Sequence, residues 1–372
     1  MNMNGTDDFF GGIFVTETIT YFLGANTPSG FHSLYHELYD PAEWRCYILK
    51  GGPGTGKSTF MKYIADRCDE AGLSYEVIRC SSDPNSLDGL RLPALKVCIA
   101  DGTAPHVVNP KFPGASETVL DLSRFWYADK LCTHRDAIID LTIKNSAQHQ
   151  KCVRFLQAAE SLSRDIRRLA LSCVDQDKVE RYASRLAARK FGTPRGTVGM
   201  ESKRFLSALT PDGIYIHRNT LETLCDDVLV VDDPYGAVSA ALLGCLRRYA
   251  LGAGLDVISC PCILHTDCGV QHLIIPELRY GIVTDNPYHH FEGTATVHAS
   301  RFTDGSALKE HRSRITFSRR TEQELLEEAA YASRKALCIH NDLEAFYKDA
   351  MDFTGVQALA EQTAEELLQL AQ

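Results

Sequence analysis

Residues 51–59 decide the fold that we expect, and they read Gly51-Gly52-Pro53-Gly54-Thr55-Gly56-Lys57-Ser58-Thr59. This stretch fits the phosphate-loop pattern G-x-x-x-x-G-K-[ST]. The fixed positions of that pattern are filled by Gly51, Gly56, Lys57 and Ser58. A short apolar run at 46–49 is typical of a buried strand, and apolar residues at helical spacing follow the loop at 60–65. The sequence therefore predicts a strand, a glycine turn and a helix, which is the context that a phosphate loop requires.

This loop predicts ATP and Mg²⁺ as ligands. Its glycines allow the backbone to approach an anion, and the N–H groups of the loop and of the helix N-terminus point at that anion. We expect Lys57 to reach the β- and γ-phosphates and the hydroxyl of Ser58 to hold Mg²⁺. The other residues of 51–59 are expected to line the nucleotide. The alternative is an ordinary glycine-rich turn before a helix, without a ligand.

The composition is that of an ordinary globular protein. The chain has 372 residues, of which 44% are hydrophobic and 23% charged, so it is long enough for two domains. A net charge of −9 disfavours nucleic acid as a partner. The 13 cysteines are scattered and follow no secretory signal. No apolar stretch approaches the ~20 residues of a membrane span, so we expect a cytoplasmic protein with reduced cysteines and no membrane contact.

The chain contains an internal duplication. Residues 21–30 recur in altered form as 204–213, so that Leu23 aligns with Leu206 at an offset of 183 residues. Further matches at or near this offset pair 92–96 with 275–279, His106 with His289, and 77–80 with 257–260. One such match would be chance, but a collinear series indicates two related halves.

Each half has a front rich in strands, glycine and proline, followed by a long helical segment. Strands alternate with helices in that front, as in a mainly parallel sheet covered on both faces. We therefore expect class α/β, with two P-loop NTPase-like halves that are each a three-layer α/β/α unit. The first half is 1–200, with its helical segment at about 117–190, and the second is 201–372. Residues 192–199 join them as a linker or, alternatively, as a catalytic loop in which Arg195 is a cationic finger.

A second Mg²⁺-binding acid is expected at the end of a strand next to the loop. Residues 95–100 form a mainly apolar run that ends on Asp101, whose carboxylate is the candidate. A strand-end aspartate can also serve only as a turn former or a helix cap. Gly102 stands where many motor-type ATPases carry a water-activating glutamate, so fast hydrolysis is not expected.

Two further residues are candidates for chemistry near the same sheet edge. Asp83 follows the second strand, where ligands bind in open α/β sheets. Its carboxylate could orient a water or an acceptor hydroxyl, although Asp-Pro sequences also make turns without chemistry. His106 follows Asp101 closely and could sense the γ-phosphate or contact a second substrate. A lone histidine more often packs or caps, which is the alternative here.

The second half has lost the phosphate loop. Its matching strand and helix flank Asp232-Asp233-Pro234-Tyr235-Gly236-Ala237. Aligning Pro234 with Pro53 places the two aspartates at the first loop glycines and Val238 at Lys57. Without the lysine and with two added negative charges, this half is expected not to bind a triphosphate and to have a structural or regulatory role.

The second half also holds a group of Zn²⁺ ligand types, at Cys260, Cys262, His265, Cys268 and His272. Their spacing fits none of the usual paired C-x-x-C frames, and buried reduced cysteines are common in cytosolic sheets. We expect packing rather than a metal here.

Three motifs together resemble a poorly characterised bacterial family. They are 48–59, Cys80-Ser81-Ser82-Asp83-Pro84, and Asp101-Gly102-Thr103-Ala104-Pro105-His106. Members of that family look like duplicated P-loop ATP-binding proteins with phosphate loops typically in both halves. This chain departs from them by losing the second loop. The resemblance covers most of the chain and implies ATP binding, but it brings no established substrate.

The sequence thus predicts an ATP- and Mg²⁺-binding P-loop protein with one active half, one degenerate half, and slow or partner-stimulated hydrolysis. In this interpretation Lys57, Asp101 and Asp83 carry the chemistry. One alternative is a kinase that passes the γ-phosphoryl group to a small molecule or a nucleotide. The other is a nucleotide-gated module whose helical segments engage a protein partner.

Overall fold

The computed structural model describes residues 19–267 and 269–371 and is an α/β structure. Within these residues the chain forms two six-stranded sheets, two small hairpins and nine α-helices. The first half contains β1 (Ile19–Tyr21), β2 (Gly24–Thr27), β3 (Gly30–Ser33), β4 (Arg45–Lys50), α1 (Lys57–Glu70), β5 (Glu76–Arg79), β6 (Leu87–Leu92), β7 (Val97–Asp101), β8 (Glu117–Asp121), α2 (Ala128–Thr133), α3 (Arg135–Leu171) and α4 (Gln176–Lys190). The second half contains β9 (Glu201–Lys203), β10 (Ser207–Thr210), β11 (Gly213–Ile216), α5 (Arg218–Leu224), β12 (Asp227–Asp232), α6 (Ala237–Gly252), β13 (Val257–Pro261), β14 (Val270–Ile275), β15 (Tyr280–Asp285), β16 (Ala295–His298), α7 (Gly305–Glu310), α8 (Arg312–Asp349) and α9 (Phe353–Gln369). None of the helices in these described ranges has the length and apolarity that crossing a membrane would take.

Both sheets have the same strand order. The first is β1-β5-β6-β7-β4-β8, and the second is β9-β13-β14-β15-β12-β16. In each sheet five strands run in one direction, while β6 or β14 runs against both of its neighbours. The reversed strand joins its neighbours through short connections instead of crossover helices. The sheets are therefore mixed, and their shared topology agrees with the duplication seen in the sequence.

Strand residues alternate between two buried faces of each sheet. In β4, Cys46 and Ile48 point into a central core that both sheets share, whereas Tyr47 and Leu49 point into an outer core under α1. In β12, Val230 points into the same central core, and the residues on either side of it lie in the outer core under α6. Both faces of these strands are covered, which explains why they read as continuous apolar runs.

Equivalent residues of the two halves contact each other. Phe22 and Phe205, which the repeat aligns, exchange two backbone hydrogen bonds with N···O distances of 2.9 and 3.0 Å. The matching long helices α3 and α8, of 37 and 38 residues, pack along each other. Contact between a residue and its own counterpart is the pattern of a two-fold symmetric dimer interface. The chain therefore resembles a dimer fused into one polypeptide.

The last helix of each half packs on the other half. Helix α4 lies against α6 in the outer core of the second sheet, through Val179, Ala183 and Leu186. Helix α9 lies against α1 in the outer core of the first sheet, through Ala360 and Leu367. Each half therefore completes the core of the other.

The strand register corrects one alignment of the repeat. Ile78 of β5 pairs with Gly89, and Cys260 of β13 pairs with the counterpart of Gly89 in β14. Ile78 therefore matches Cys260, and Cys80 matches Cys262. The sequence alignment of this strand was wrong by two residues, because a Val-Ile-x-Cys string recurs out of register in the second half.

The loop before α6 is shorter than the loop before α1. Six residues separate β4 from α1, but four separate β12 from α6. Counting from the helix start, Ala237 and not Val238 takes the position of Lys57. Aligning the two loops on their prolines was therefore wrong by one residue, although the position of the lysine is still apolar.

Candidate functional site: the loop between β4 and α1

The loop of the first half has the backbone geometry of an anion site. Strand β4 ends at Lys50 and helix α1 begins at Lys57, so 51–56 form the turn between them. Gly54 and Gly56 have φ angles of +68° and +88°, in the left-handed region that favours glycine. The first N–H groups of α1 have no acceptor within the helix and point toward this turn. The turn can therefore receive an anion.

The side chain of Lys57 is held at the loop. Its Nζ donates hydrogen bonds to the carbonyl oxygens of Gly51 and Gly52 at 3.1 and 2.8 Å. The same Nζ is 3.7 Å from Oδ2 of Asp101, and only 11% of the lysine side chain is exposed. A bound phosphate would offer this ammonium stronger, charge-assisted hydrogen bonds than the carbonyls do.

Asp101 lies at the end of β7, next to the strand that leads into the loop. Strands β4 and β7 pair in parallel, with Leu49 opposite Asp101. Oδ1 of Asp101 accepts hydrogen bonds from the N–H and the hydroxyl of Thr103, at 2.8 and 2.5 Å. Ser58 stands in the first turn of α1, where its Oγ accepts a hydrogen bond from the N–H of Leu87 at 3.0 Å. Oxygen ligands of these kinds suit Mg²⁺, which makes the two residues candidates to hold it.

Asp83 lies in a turn between β5 and β6. Its Oδ1 accepts a hydrogen bond from the N–H of Asn85 at 3.1 Å, and its carbonyl oxygen accepts one from Ser86 at 2.9 Å. These are the bonds of an Asx turn. Within the described ranges, no hydrogen bond or ion pair joins its carboxylate to 51–59.

His106 is buried, with 7% exposure, and pairs with Asp88. Its Nε2 is 3.0 Å from Oδ2 of Asp88, and the rings of Phe31 and Tyr35 pack against its imidazole. Burial by itself lowers the pKa of His106, but the charge and hydrogen bond of Asp88, together with the charge of Asp101, raise that pKa above its ordinary value. Sequence reasoning missed Asp88, because a single aspartate inside an apolar strand carries no recognisable signal.

The second half covers the loop. Gly54 donates its N–H to Oε1 of Glu344 at 3.2 Å. The ring of Tyr347 lies so close to Gly52 that an added Cβ would come within 2.8 Å of it. Phe353 packs beside the loop glycine that precedes α1. These residues come from the end of α8 and the start of α9, and no local motif in the sequence identifies them.

Glu344 is held as a carboxylate. His340 and Lys348, one helical turn before and after it, lie 3.3 and 2.6 Å from its oxygens. The hydrogen bond from His340, followed by that from Lys348, lowers the pKa of Glu344 to about 2. The Glu344 carboxylate of the second half therefore occupies the N–H group of Gly54, one of the donors of the first-half loop.

The matching loop of the second half is occupied by its own carboxylate. Asp233, with 1% exposure, accepts hydrogen bonds from the N–H groups of Tyr235 and Ser239 at 3.2 and 2.7 Å. It thus caps the start of α6, where an anion would otherwise bind. Asp232 instead pairs with Nδ1 of His298 at 2.6 Å.

A small cavity of about 100 Å³ adjoins this second loop. Its lining includes Ser239, Thr284, Arg319 and Glu322. Sites for ligands of nucleotide size are typically ~300–1,000 Å³. This cavity is smaller than that range, whereas a second cavity of about 580 Å³, also lined by Tyr235 and Arg319, lies within it.

The five-residue Cys/His group of the second half forms no metal-ligand cluster among the described residues. Cys268 lies outside the described residues, and the other four do not bring three ligand atoms within 4.8 Å of one another. A different trio does so, namely Cys80, Asp88 and His106. No spacing pattern in the sequence groups these three residues.

Arg195, near the end of the first half, pairs with a residue of the second half. Its guanidinium forms two hydrogen bonds with Glu277, one of them at 2.8 Å. Glu277 follows β14, whose end lies at the edge of the sheet opposite the second loop because β14 runs against β15. Lys190 pairs with Asp227, which begins β12 at that same edge.

No family model, no curated protein and no solved structure matches this chain. Function is therefore inferred from the residues and their geometry.

Proposed function

We propose that the protein binds ATP with Mg²⁺ at the loop between β4 and α1, in the manner of a P-loop NTPase. One observation carries the proposal: left-handed glycines, a helix N-terminus and a lysine 3.7 Å from the strand-end Asp101 occur together. The glycines and the helix N-terminus provide N–H donors for phosphate oxygens. Lys57 neutralises the phosphates, and Ser58 and Asp101 are the residues that would hold the metal. When bound, Mg²⁺ neutralises charge that develops on the transferring phosphoryl group.

The second half is proposed to bind no nucleotide and to regulate the first. Asp233 caps the helix that would receive phosphate, and Ala237 stands at the lysine position. At the same time Glu344 and Tyr347 of this half contact the active loop. One nucleotide per chain is therefore expected, and its binding must displace or rearrange contacts made by α8.

Slow or partner-stimulated hydrolysis is the reaction that we propose. Gly102 follows Asp101 where a water-activating glutamate would otherwise stand, and Asp83 makes turn contacts instead of contacts with the loop. A second candidate is a nucleotide-gated binding module without turnover. The contact of α8 and α9 with the loop favours this module, because a bound nucleotide would then move α9, the helix of the second half that packs on the first.

Calorimetric titration with Mg-ATP tests the binding proposal. We expect one site per chain in the parent protein and none in Lys57→Ala, because that change removes the cation nearest the β- and γ-phosphates. Lys62→Ala, an exposed lysine on the same helix, is the matched control and should bind like the parent. Absence of binding in the parent would overturn the proposal, and two sites would overturn the role assigned to the second half.

Product analysis with ATP labelled at the γ-phosphate then identifies the reaction. Free phosphate would support hydrolysis, and a phosphorylated acceptor would support the kinase. Neither product, together with saturable ATP binding, would support the nucleotide-gated module.

A further inference from the structure

We propose that Cys80, Asp88 and His106 form a binding site for a divalent transition metal of the zinc class, beside the nucleotide loop and separate from its Mg²⁺. The thiol sulfur, a carboxylate oxygen and an imidazole nitrogen lie within 4.8 Å of one another. These are the ligand types that Zn²⁺ takes.

The spacing of Asp88 and His106 is close to that of two ligands on one metal. Oδ2 of Asp88 and Nε2 of His106 are 3.0 Å apart. Two such atoms on one tetrahedral zinc, at ~2.0 Å from it, would be roughly 3.3 Å apart. A shift of a few tenths of an ångström would therefore bring these two atoms to the spacing of zinc ligands, and the sulfur of Cys80 lies within 4.8 Å of both.

Local backbone geometry directs the three side chains to one point. Asp88 is the extra residue of a β-bulge, because Ile78 pairs with Gly89 and Arg79 pairs with Leu87. Bulges re-aim a side chain out of the regular alternation of a strand. Burial and then the Asp88 carboxylate raise the pKa of the Cys80 thiol well above its ordinary value, and the backbone N–H groups of Asp83 and Ser82 that point to its sulfur only partly offset this. The thiol is therefore protonated without a metal, and a metal must displace that proton.

The charges of the site balance in both states. Without a metal, the thiol is neutral and the Asp88 carboxylate faces the His106 imidazole. This carboxylate–imidazole pair has no net charge when the imidazole is protonated. A divalent ion bound by a thiolate, a carboxylate and a neutral imidazole is also neutral overall. Binding thus replaces the thiol proton and the imidazolium proton, which leave to solvent. A largely buried site accepts this exchange without gaining net charge.

The second half contains a natural comparison that lacks the acid. The strand register matches Cys80 with Cys262, and the bulge position of Asp88 is occupied by Gln271. His289 matches His106, but with no carboxylate beside it burial lowers the pKa of His289 to about 3. Among the residues that the structure describes, the trio is therefore complete only in the half that keeps the phosphate loop.

The site is connected to both proposed Mg²⁺ residues. The N–H of Leu87, next to Asp88, bonds to Oγ of Ser58, and the N–H of His106 bonds to the carbonyl oxygen of Thr103 at 2.9 Å. Thr103 in turn bonds to Asp101. A metal held by the trio would fix the segments that bond to Ser58 and Asp101.

Cobalt titration of the full chain, without nucleotide, tests this proposal. Co²⁺ should bind once per chain and produce a thiolate-to-cobalt charge-transfer band, and elemental analysis of zinc-loaded protein should find about one zinc. Cys80→Ser should abolish the band, Asp88→Asn should weaken binding at least about tenfold, and Cys262→Ser should leave both unchanged. Circular dichroism and thermal unfolding would establish that each variant is folded.

The proposal is overturned if folded parent protein shows no cobalt–thiolate band, or if the band persists in Cys80→Ser. Loss of the band in Cys262→Ser but not in Cys80→Ser would place the metal in the second half and would equally contradict it. The Lys57→Ala variant should bind cobalt normally. The metal site and the ATP proposal can therefore fail independently.

Discussion

Replacing Glu344 with glutamine should tighten ATP binding. In the structure the Glu344 carboxylate accepts the N–H of Gly54 at 3.2 Å, and the loop N–H groups are the donors that phosphate oxygens would use. The pKa of Glu344, lowered to about 2 by His340 and then Lys348, keeps this group ionised at neutral pH. A nucleotide must therefore displace a charged acceptor that belongs to the protein.

The size of the effect follows from the hydrogen bond that is exchanged. A hydrogen bond to a charged group contributes ~1.5–3 kcal/mol, and a neutral one contributes ~0.5–1.5 kcal/mol. Glutamine keeps the shape of the side chain and the acceptor but loses the charge, so the competing bond weakens by about 1 kcal/mol or slightly more. We expect the Kd for Mg-ATP to fall about five- to tenfold. Removing the repulsion between Glu344 and the phosphates acts in the same direction.

Titration calorimetry of Glu344→Gln against the parent measures this difference. Glu328→Gln changes an exposed glutamate of the same helix and is the matched control, for which we expect an unchanged Kd. An unchanged Kd in Glu344→Gln would mean that the contact does not compete with phosphate. Weaker binding would mean that Glu344 assists the nucleotide, and either result would refute the reasoning.

Three further predictions concern Asp101, Arg195 and helix α9. Asp101→Asn should reduce Mg²⁺-dependent turnover more than ATP affinity, because most phosphate contacts come from the loop; equal losses would indicate a structural aspartate. Arg195→Ala should leave turnover at saturating ATP unchanged, since its guanidinium pairs with Glu277, and a large fall would restore the finger hypothesis. Leu367→Ala, at 1% exposure, should lower the free energy of unfolding by about 2–5 kcal/mol in a denaturant titration. The control Leu370→Ala, at 48% exposure, should change it little.

The α/β class was predictable because the signals for it are local. The apolar run at 46–49, the glycine turn and the helical spacing after it depend on neighbours in the sequence, and they form β4, the loop and α1 as expected. Asp101 was predicted at a strand end, and it lies there because β7 pairs in parallel beside β4. The repeat likewise predicted two halves of one topology.

Strand direction and helix partners were not predictable in the same way. The apolar pattern of β6 is the same whether the strand runs parallel or antiparallel to its neighbours. The sequence pattern therefore does not indicate that the sheet is mixed. The apolar face of α9 predicts a buried helix but does not say which sheet buries it. The contact of Glu344 with Gly54 likewise depends on how the two halves pack together, because the two residues lie 290 positions apart in the chain.

Helices α4 and α9 each pack on the other half, and this gives a physical reason for the chain to keep a half that is proposed to bind no nucleotide. Helix α9 fills the outer core under α1, the helix that begins at Lys57, and the end of α8 lies on the loop itself. Removing the second half would therefore expose the apolar face of α1 and take away the residues that cover the loop. Loss of the phosphate loop in the second half removes none of these contacts, because α8 and α9 make them. Helix α6 meanwhile stays capped, because Asp233 takes the place of an anion. The second half can thus lose its ligand while the first half continues to depend on its helices.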